Sequence, residues 1–123
     1  ILFPPPENVL EEFIDGILEE MSAYLGISKE RLRETLTEEE IWQLVYRRSL
    51  KADALADMGD YYYLIEIKDR PRPSALGQLL TYMTELERCY VVDKPVRLLL
   101  VAWLPNPQVE LVLRKRGVLV ELV

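Results

Sequence analysis

Residues 50–68, LKADALADMGDYYYLIEIK, decide how the chain is read. Two stretches, LKADALAD (50–57) and YYYLIEIK (61–68), flank Met58-Gly59-Asp60 and predict antiparallel strands joined by a tight turn. With the turn centred on Met58-Gly59, residue i faces residue 117 − i, which sets Asp53 against Leu64 and Lys51 against Glu66. Side chains alternate along a strand, so Lys51, Asp53 and Leu55 share a face with Tyr62, Leu64, Glu66 and Lys68. Asp53, Glu66 and Lys68 therefore emerge together, with the two carboxylates as diagonal neighbours. Most nearby positions, Leu55, Ile65 and Ile67 among them, are apolar. A charged trio in such a sheet needs a physical reason, because an unpaired buried charge is costly.

Two reasons fit the spacing. One is a salt-bridge ladder, with Lys51 and Lys68 neutralising Glu66 and Asp53. The other is a divalent-metal site: adjacent carboxylates repel, and a hard cation such as magnesium relieves the repulsion by bridging them. A lysine beside them can orient or deprotonate a water, its own proton affinity lowered by burial. Such parts perform metal-assisted hydrolysis of a phosphodiester.

Working outward, Pro71 and Pro73 interrupt regular structure after the second strand. Ser74 then caps a helix marked by Leu76, Leu79, Leu80, Met83, Leu86 and Tyr90. VRLLLVAWL (96–104) is a near-continuous apolar run that fits a strand covered on both faces. Asn106-Pro107 opens a short helix to Arg116, Gly117 ends it, and VLVELV (118–123) is a last strand. Upstream, Val9, Leu10, Phe13, Ile14, Ile17, Leu18, Met21, Tyr24 and Leu25 describe an amphipathic helix stopped at Gly26. Ser28 caps a second helix over residues 29–36. Thr37-x-x-Glu40 reads as a capping box ahead of a helical stripe, yet 41–48 also alternates like a strand; helix is the reading adopted. The order describes an α/β protein with a mixed sheet.

The 123 residues are one domain's worth. We expect an N-terminal helical segment, 1–36, packed on the same domain as a core spanning 37–123. Histidine is absent and Cys89 is alone, which excludes histidine-based zinc sites, His-dependent triads, an internal disulfide and a four-cysteine cluster. No apolar run is long enough to span a membrane, and the first residues do not form a signal peptide, so a cytoplasmic location is expected. Ile1 in place of a methionine suggests a trimmed start. The net charge of −6 is uneven, with eleven acids and three bases in residues 1–40 and twelve bases against ten acids in the rest. Basic clusters occur at Arg47-Arg48-x-x-Lys51, Lys68-x-Arg70-x-Arg72 and Arg114-Lys115-Arg116. Scarce Asn and Gln beside many Glu and Arg hint at a thermophilic source. Trp42 and Trp103 read as core aromatics, Cys89 as a small buried hydrophobe, and the acidic first helix as a solvated face or docking surface.

Asp53-x12-Glu66-Ile67-Lys68 resembles the core of the PD-(D/E)xK nucleases, with Ala52-Asp53 where that family often has Pro-Asp. Gln78-Leu-Leu-Thr-Tyr82 on the following helix is similar to the Q-x-x-x-Y motif of the RecB-type subset, and four-residue spacing puts both side chains on one helix face. The resemblance covers residues 37–123 and implies a restriction-endonuclease-like mixed sheet flanked by helices. It implies a nuclease dependent on Mg2+ or Mn2+, hydrolysing DNA in repair, recombination or mobile-element defence. Asp53, Glu66, Lys68, Gln78 and Tyr82 would be catalytic; Asp53, Glu66 and the Ile67 carbonyl would hold the metal; Lys51, Arg70 and Arg72 would contact DNA. A glutamate from the first helix completes the site in many members, and Glu11, Glu12, Glu38, Glu39 and Glu40 all stand as candidates here. The family usually also has a strand before the Asp-bearing one, a place only 41–48 can fill. A non-catalytic nucleic-acid-binding or assembly module of the same fold is the alternative. In either case the small size and acidic first third point to a homodimer or larger protein complex.

Overall fold

In the computed structural model, which describes residues 1–123, the hairpin forms with a register two residues away from the expected one. The turn centres on Gly59-Asp60: Gly59 has φ of +94°, and Met58 N–H donates to the Tyr61 carbonyl at 2.9 Å. Positive φ at the first central position is what a type II′ hairpin turn demands, and glycine adopts it without strain. Strands β3 (Ala54–Asp57) and β4 (Tyr62–Ile67) therefore pair Leu55 with Leu64 and Ala56 with Tyr63. Continuing that register sets Asp53 straight across from Glu66. A slip of two residues, unlike a slip of one, keeps every side chain on its face.

The expected strand 50–57 is broken. Leu50–Lys51 (β2) pairs with Leu2–Phe3 (β1) in a two-stranded ribbon, and Ala52 N–H donates to the Ile1 carbonyl at 2.9 Å. Lys51 is thus outside β3 and does not face Glu66 across the hairpin.

Strands β3 and β4, β5 (Val96–Ala102) and β6 (Val118–Leu122) form a four-stranded sheet in sequence order, antiparallel at β3–β4 and parallel elsewhere. Helix α4 (Ser74–Cys89) connects β4 to β5, and α5 (Pro107–Lys115) connects β5 to β6. Crossovers between parallel strands are right-handed almost without exception, and two advancing in one direction put both helices on one face. The alternation of burial agrees: Leu64, Glu66, Leu98, Leu100, Val118 and Val120 are buried with Ala75, Leu79, Leu86 and Leu113 of the helices. On the other set, Ile67 is 51% and Leu119 46% exposed. The run 96–104, read as a strand covered on both faces, is thus fully covered on one. Val123 N–H donates to Ala102, so alternation turns the Val120 carbonyl to the outer edge of β6, where Arg114 donates to it at 3.2 Å.

By packing, the chain divides into two compact units, Leu2–Leu50 and Ile1 with Lys51–Val123. In the first, α1 (Leu10–Leu25), α2 (Lys29–Thr35) and α3 (Glu38–Arg48) gather around Ile14, Ile17, Leu18, Leu32 and Val45, a cluster of its own in a chain whose length suggested a single core. Residues 37–50 group with these helices. The capping box of α3 is complete: Glu40 N–H donates to Thr37 Oγ1, and Thr37 N–H to Glu40 Oε1, both at 3.1 Å. Together with fully buried Val45 it decides 41–48 as helix, so no strand precedes the Asp-bearing segment there. The acids of α1 are partly matched within this unit, Asp15 by Lys29, Glu11 by Arg33 and Glu20 by Arg48. No helix is long and apolar enough to cross a membrane.

Truncating one residue from each face of β4 tests this facing. Leu64→Ala, at a fully buried position, should cost about 2–5 kcal/mol in chemical unfolding, and Ile67→Ala about 1 kcal/mol or less. Equal losses would mean that the two faces are equally packed.

Candidate active site

Asp53 and Glu66 are fixed by each other's strand. Asp53 N–H donates to Glu66 Oε1 at 3.3 Å, and Ile67 N–H donates to Asp53 Oδ2 at 2.7 Å. The backbone of each segment thus orients the carboxylate of the other. Glu66 is only 3% exposed, whereas Asp53 is open to solvent. Lys68 Nζ, half-buried, lies 3.5 Å from Glu66 Oε2.

This environment pushes the Glu66 carboxyl above its ordinary range. Burial is the main cause and the Asp53 charge adds to it; Lys68 and the Asp53 amide work against both. From α4, Tyr82 lies in the field of the pair: its phenol is raised by burial first, then by the charges of Glu66 and Asp53. One turn earlier on the same face, Gln78 Oε1 is buried and finds no hydrogen-bond partner in the protein. Orphaned buried oxygens are uncommon, and each calls for a donor from water or a ligand.

The structure therefore gathers Asp53, Glu66 and Lys68 at the end of β4, with Tyr82 in their field from the middle of α4 and Gln78 one turn before it on that helix. Ile67 points its amide at Asp53, and because a residue's N–H and C=O leave an antiparallel strand on the same side, its carbonyl faces that way too. Two carboxylates and a carbonyl are hard oxygen donors of the kind magnesium or manganese takes. Lys68 pairs with Glu66, two residues away along the chain, and Asp53 Oδ2 accepts from the Ile67 amide. Glu11, Glu12, Glu38, Glu39 and Glu40 all belong to the helical unit, and no group of three or more acidic, cysteine or histidine side chains forms a cation cluster.

Arg70 and Arg72 are exposed on the loop after Lys68, with Arg72 bonded to both oxygens of Asp69, and Lys51 is exposed on β2. Arg114, from the third basic cluster, is committed to Val120 and Glu110 within its own unit. Tyr62, expected on the site face, sits at the turn end, where its hydroxyl donates to Asp93 and Lys94 lies over its ring.

Sequence reasoning missed the loop after β5. Trp103, expected in the core, is 53% exposed, and Trp42 is 37% exposed; Cys89 is only partly buried. The Asp69 carbonyl accepts from Trp103 N–H at 3.3 Å and from Leu104 N–H at 2.8 Å, which joins this loop to the one bearing Arg70 and Arg72. The signal was in LPNP (104–107), turn residues that end a strand and leave the residues just before them at its tip.

Compared with known protein families, curated proteins and solved structures, the chain gives no significant match.

A carboxyl whose proton affinity rises on folding binds its proton more tightly in the folded state, so its contribution to stability falls as pH climbs above the ordinary value of 4.5. Glu66→Gln should therefore melt higher than wild type at neutral pH, with the advantage vanishing as pH falls toward 4.5. Thermal melts across that range check it. A variant less stable throughout would mean that the Lys68 ion pair outweighs desolvation.

Proposed function

We propose that this chain is a metal-dependent nuclease of the PD-(D/E)xK kind that hydrolyses DNA phosphodiester bonds, its sheet unit a restriction-endonuclease-like core. The observation that carries the reading is the mutually locked Asp53–Glu66 pair, with Lys68 3.5 Å from Glu66. The desolvated Glu66 and the unpartnered Gln78 oxygen support it, since both leave an electrostatic or hydrogen-bonding need that a substrate complex would meet. The order hairpin, helix, parallel strand, helix, parallel strand also agrees with it.

In this reading Asp53, Glu66 and the Ile67 carbonyl would hold Mg2+ or Mn2+. When bound, the cation would supply positive charge to the phosphoryl oxygens and relieve the carboxylate repulsion. Lys68 orients the attacking water or takes its proton. Gln78 and Tyr82 position the scissile strand from α4, and Lys51, Arg70 and Arg72 hold phosphates on either side. Cytoplasmic repair, recombination or mobile-element defence, in a homodimer or larger complex, is the setting this chemistry suits. A non-catalytic nucleic-acid-binding or assembly module is the second reading, favoured by the Lys68–Glu66 ion pair, which a purely structural ladder also produces.

Cleavage of labelled single-stranded, duplex and four-way-junction DNA, with magnesium, manganese or chelator, separates the two. Lys68→Ala should abolish cleavage and leave DNA affinity within a few-fold; Lys68→Arg should not rescue, because guanidinium does not give up its proton. Undiminished cleavage by the alanine variant would remove Lys68 from the chemistry.

Metal binding has its own readout. A hundredfold excess of magnesium over Kd should stabilise wild type by about 2.7 kcal/mol, a melting shift of several degrees. The variant carrying Asp53→Asn and Glu66→Gln should show none, and an equal response in both would place the cation elsewhere. Neutralising Arg70 and Arg72 together should lower the slope of log affinity against log salt by about 2. An unchanged slope would put the DNA track on another surface.

A further inference from the structure

We propose that Trp103 is a stacking platform for an unpaired base, so that the nucleic acid this protein engages is single-stranded where it passes the site. The inference rests on the nuclease reading and names its substrate class.

Three observations lead here. First, Trp103 at 53% and Leu104 at 40% exposure leave large apolar side chains in water at the carboxyl end of β5, beside the end of β4 that carries Lys68. Second, the exposure is built on a braced support. Lys68 N–H donates to Val101 at 2.9 Å, and the Asp69 carbonyl takes the amides of Trp103 and Leu104. Asn106 Nδ2 donates to the Pro71 carbonyl at 2.8 Å, while Asn106 N–H donates at 2.7 Å to Glu110, itself 6% exposed. Third, the same brace carries cations. Asp69, whose carbonyl holds the tryptophan loop, holds the Arg72 guanidinium through both carboxylate oxygens, and Arg70 is exposed between them.

An indole and two guanidinium groups set on one rigid support match what a single strand offers, flat unpaired bases alternating with phosphates. A duplex hides its base faces within the stack and would meet only the arginines. The chemistry thus favours a single strand over duplex without reading sequence, because every base has a face to stack.

The test uses the full chain carrying Trp42→Phe, so that Trp103 is the one remaining tryptophan. Probes are an oligodeoxythymidine single strand and a blunt duplex, titrated in chelator so that neither is cut. We expect saturable quenching of Trp103 fluorescence by the single strand. Adding Trp103→Ala should weaken single-strand binding about 5- to 150-fold, with Trp103→Phe in between. Duplex affinity should change about twofold or less, the duplex having no unpaired base to stack. Equal weakening for both probes, or unchanged single-strand affinity, overturns the proposal. So does a Trp103→Ala variant that dissociates a self-associated form in sedimentation while nucleic-acid affinity holds, which would assign the indole to a protein contact.

Cleavage assays of the same proteins with magnesium keep the two ideas apart. Cleavage together with Trp103-independent binding would leave the nuclease reading standing and remove the platform. Trp103-dependent binding without cleavage would do the reverse.

Discussion

The candidate site is organised around a carboxyl, Glu66, set in a place that disfavours its charge. At 3% exposure the carboxylate has lost most of its hydration, and its neighbour across the strands is another carboxylate. What compensates within the chain is modest: one backbone amide from Asp53 and one lysine at 3.5 Å. Burial and the Asp53 charge outweigh both, so the Glu66 carboxyl holds its proton more tightly than usual. The backbone contacts matter for geometry more than for energy. Because the Asp53 amide holds Glu66 and the Ile67 amide holds Asp53, the carboxylates are oriented before any ligand arrives. Orientation built in during folding need not be supplied by the substrate.

The constraint reaches outward through the sheet. Glu66 sits on the face that α4 covers, among Leu64, Leu98 and Leu100, so the helix that seals the core also carries Tyr82 into the field of the pair. The end of β4 then has to connect to α4 through Asp69–Pro73, and that loop is pinned from β5 and α5 by Asp69, Asn106 and Glu110. Packing and site geometry are therefore one arrangement.

Much of this was legible in the residues, for reasons that differ from element to element. The hairpin, its charged face and the strand–helix alternation follow from period-two and period-3.6 patterns of apolar residues. The register was misread by two because the turn was centred one residue early; Gly59, not Met58, takes the first central position. The error cost little, since parity and not register decides which face a side chain occupies, and Asp53 moved from diagonal to opposite. Lys51 does not stand across from Glu66 for another reason: nothing local says that β2 ends at 51 to pair with β1 near the start of the chain. The 41–48 ambiguity was decided by the Thr37–Glu40 cap. Trp103 escaped because an apolar run shows where a strand is and not where its last residue leaves the sheet.

The outer edge of β6 bears on how copies of this chain can associate. Arg114 reaches from α5 to the Val120 carbonyl, an acceptor that alternation turns away from β5. An exposed edge is a template for a foreign strand, and a charged side chain bonded along it is a guard. A second molecule adding its strand there would have to displace a guanidinium from that carbonyl, supplying its own N–H instead, and disturb the Arg114–Glu110 pair at 3.6 Å. Sheet extension is thus disfavoured along β6, and a strand adding there has to outcompete a contact made within the chain.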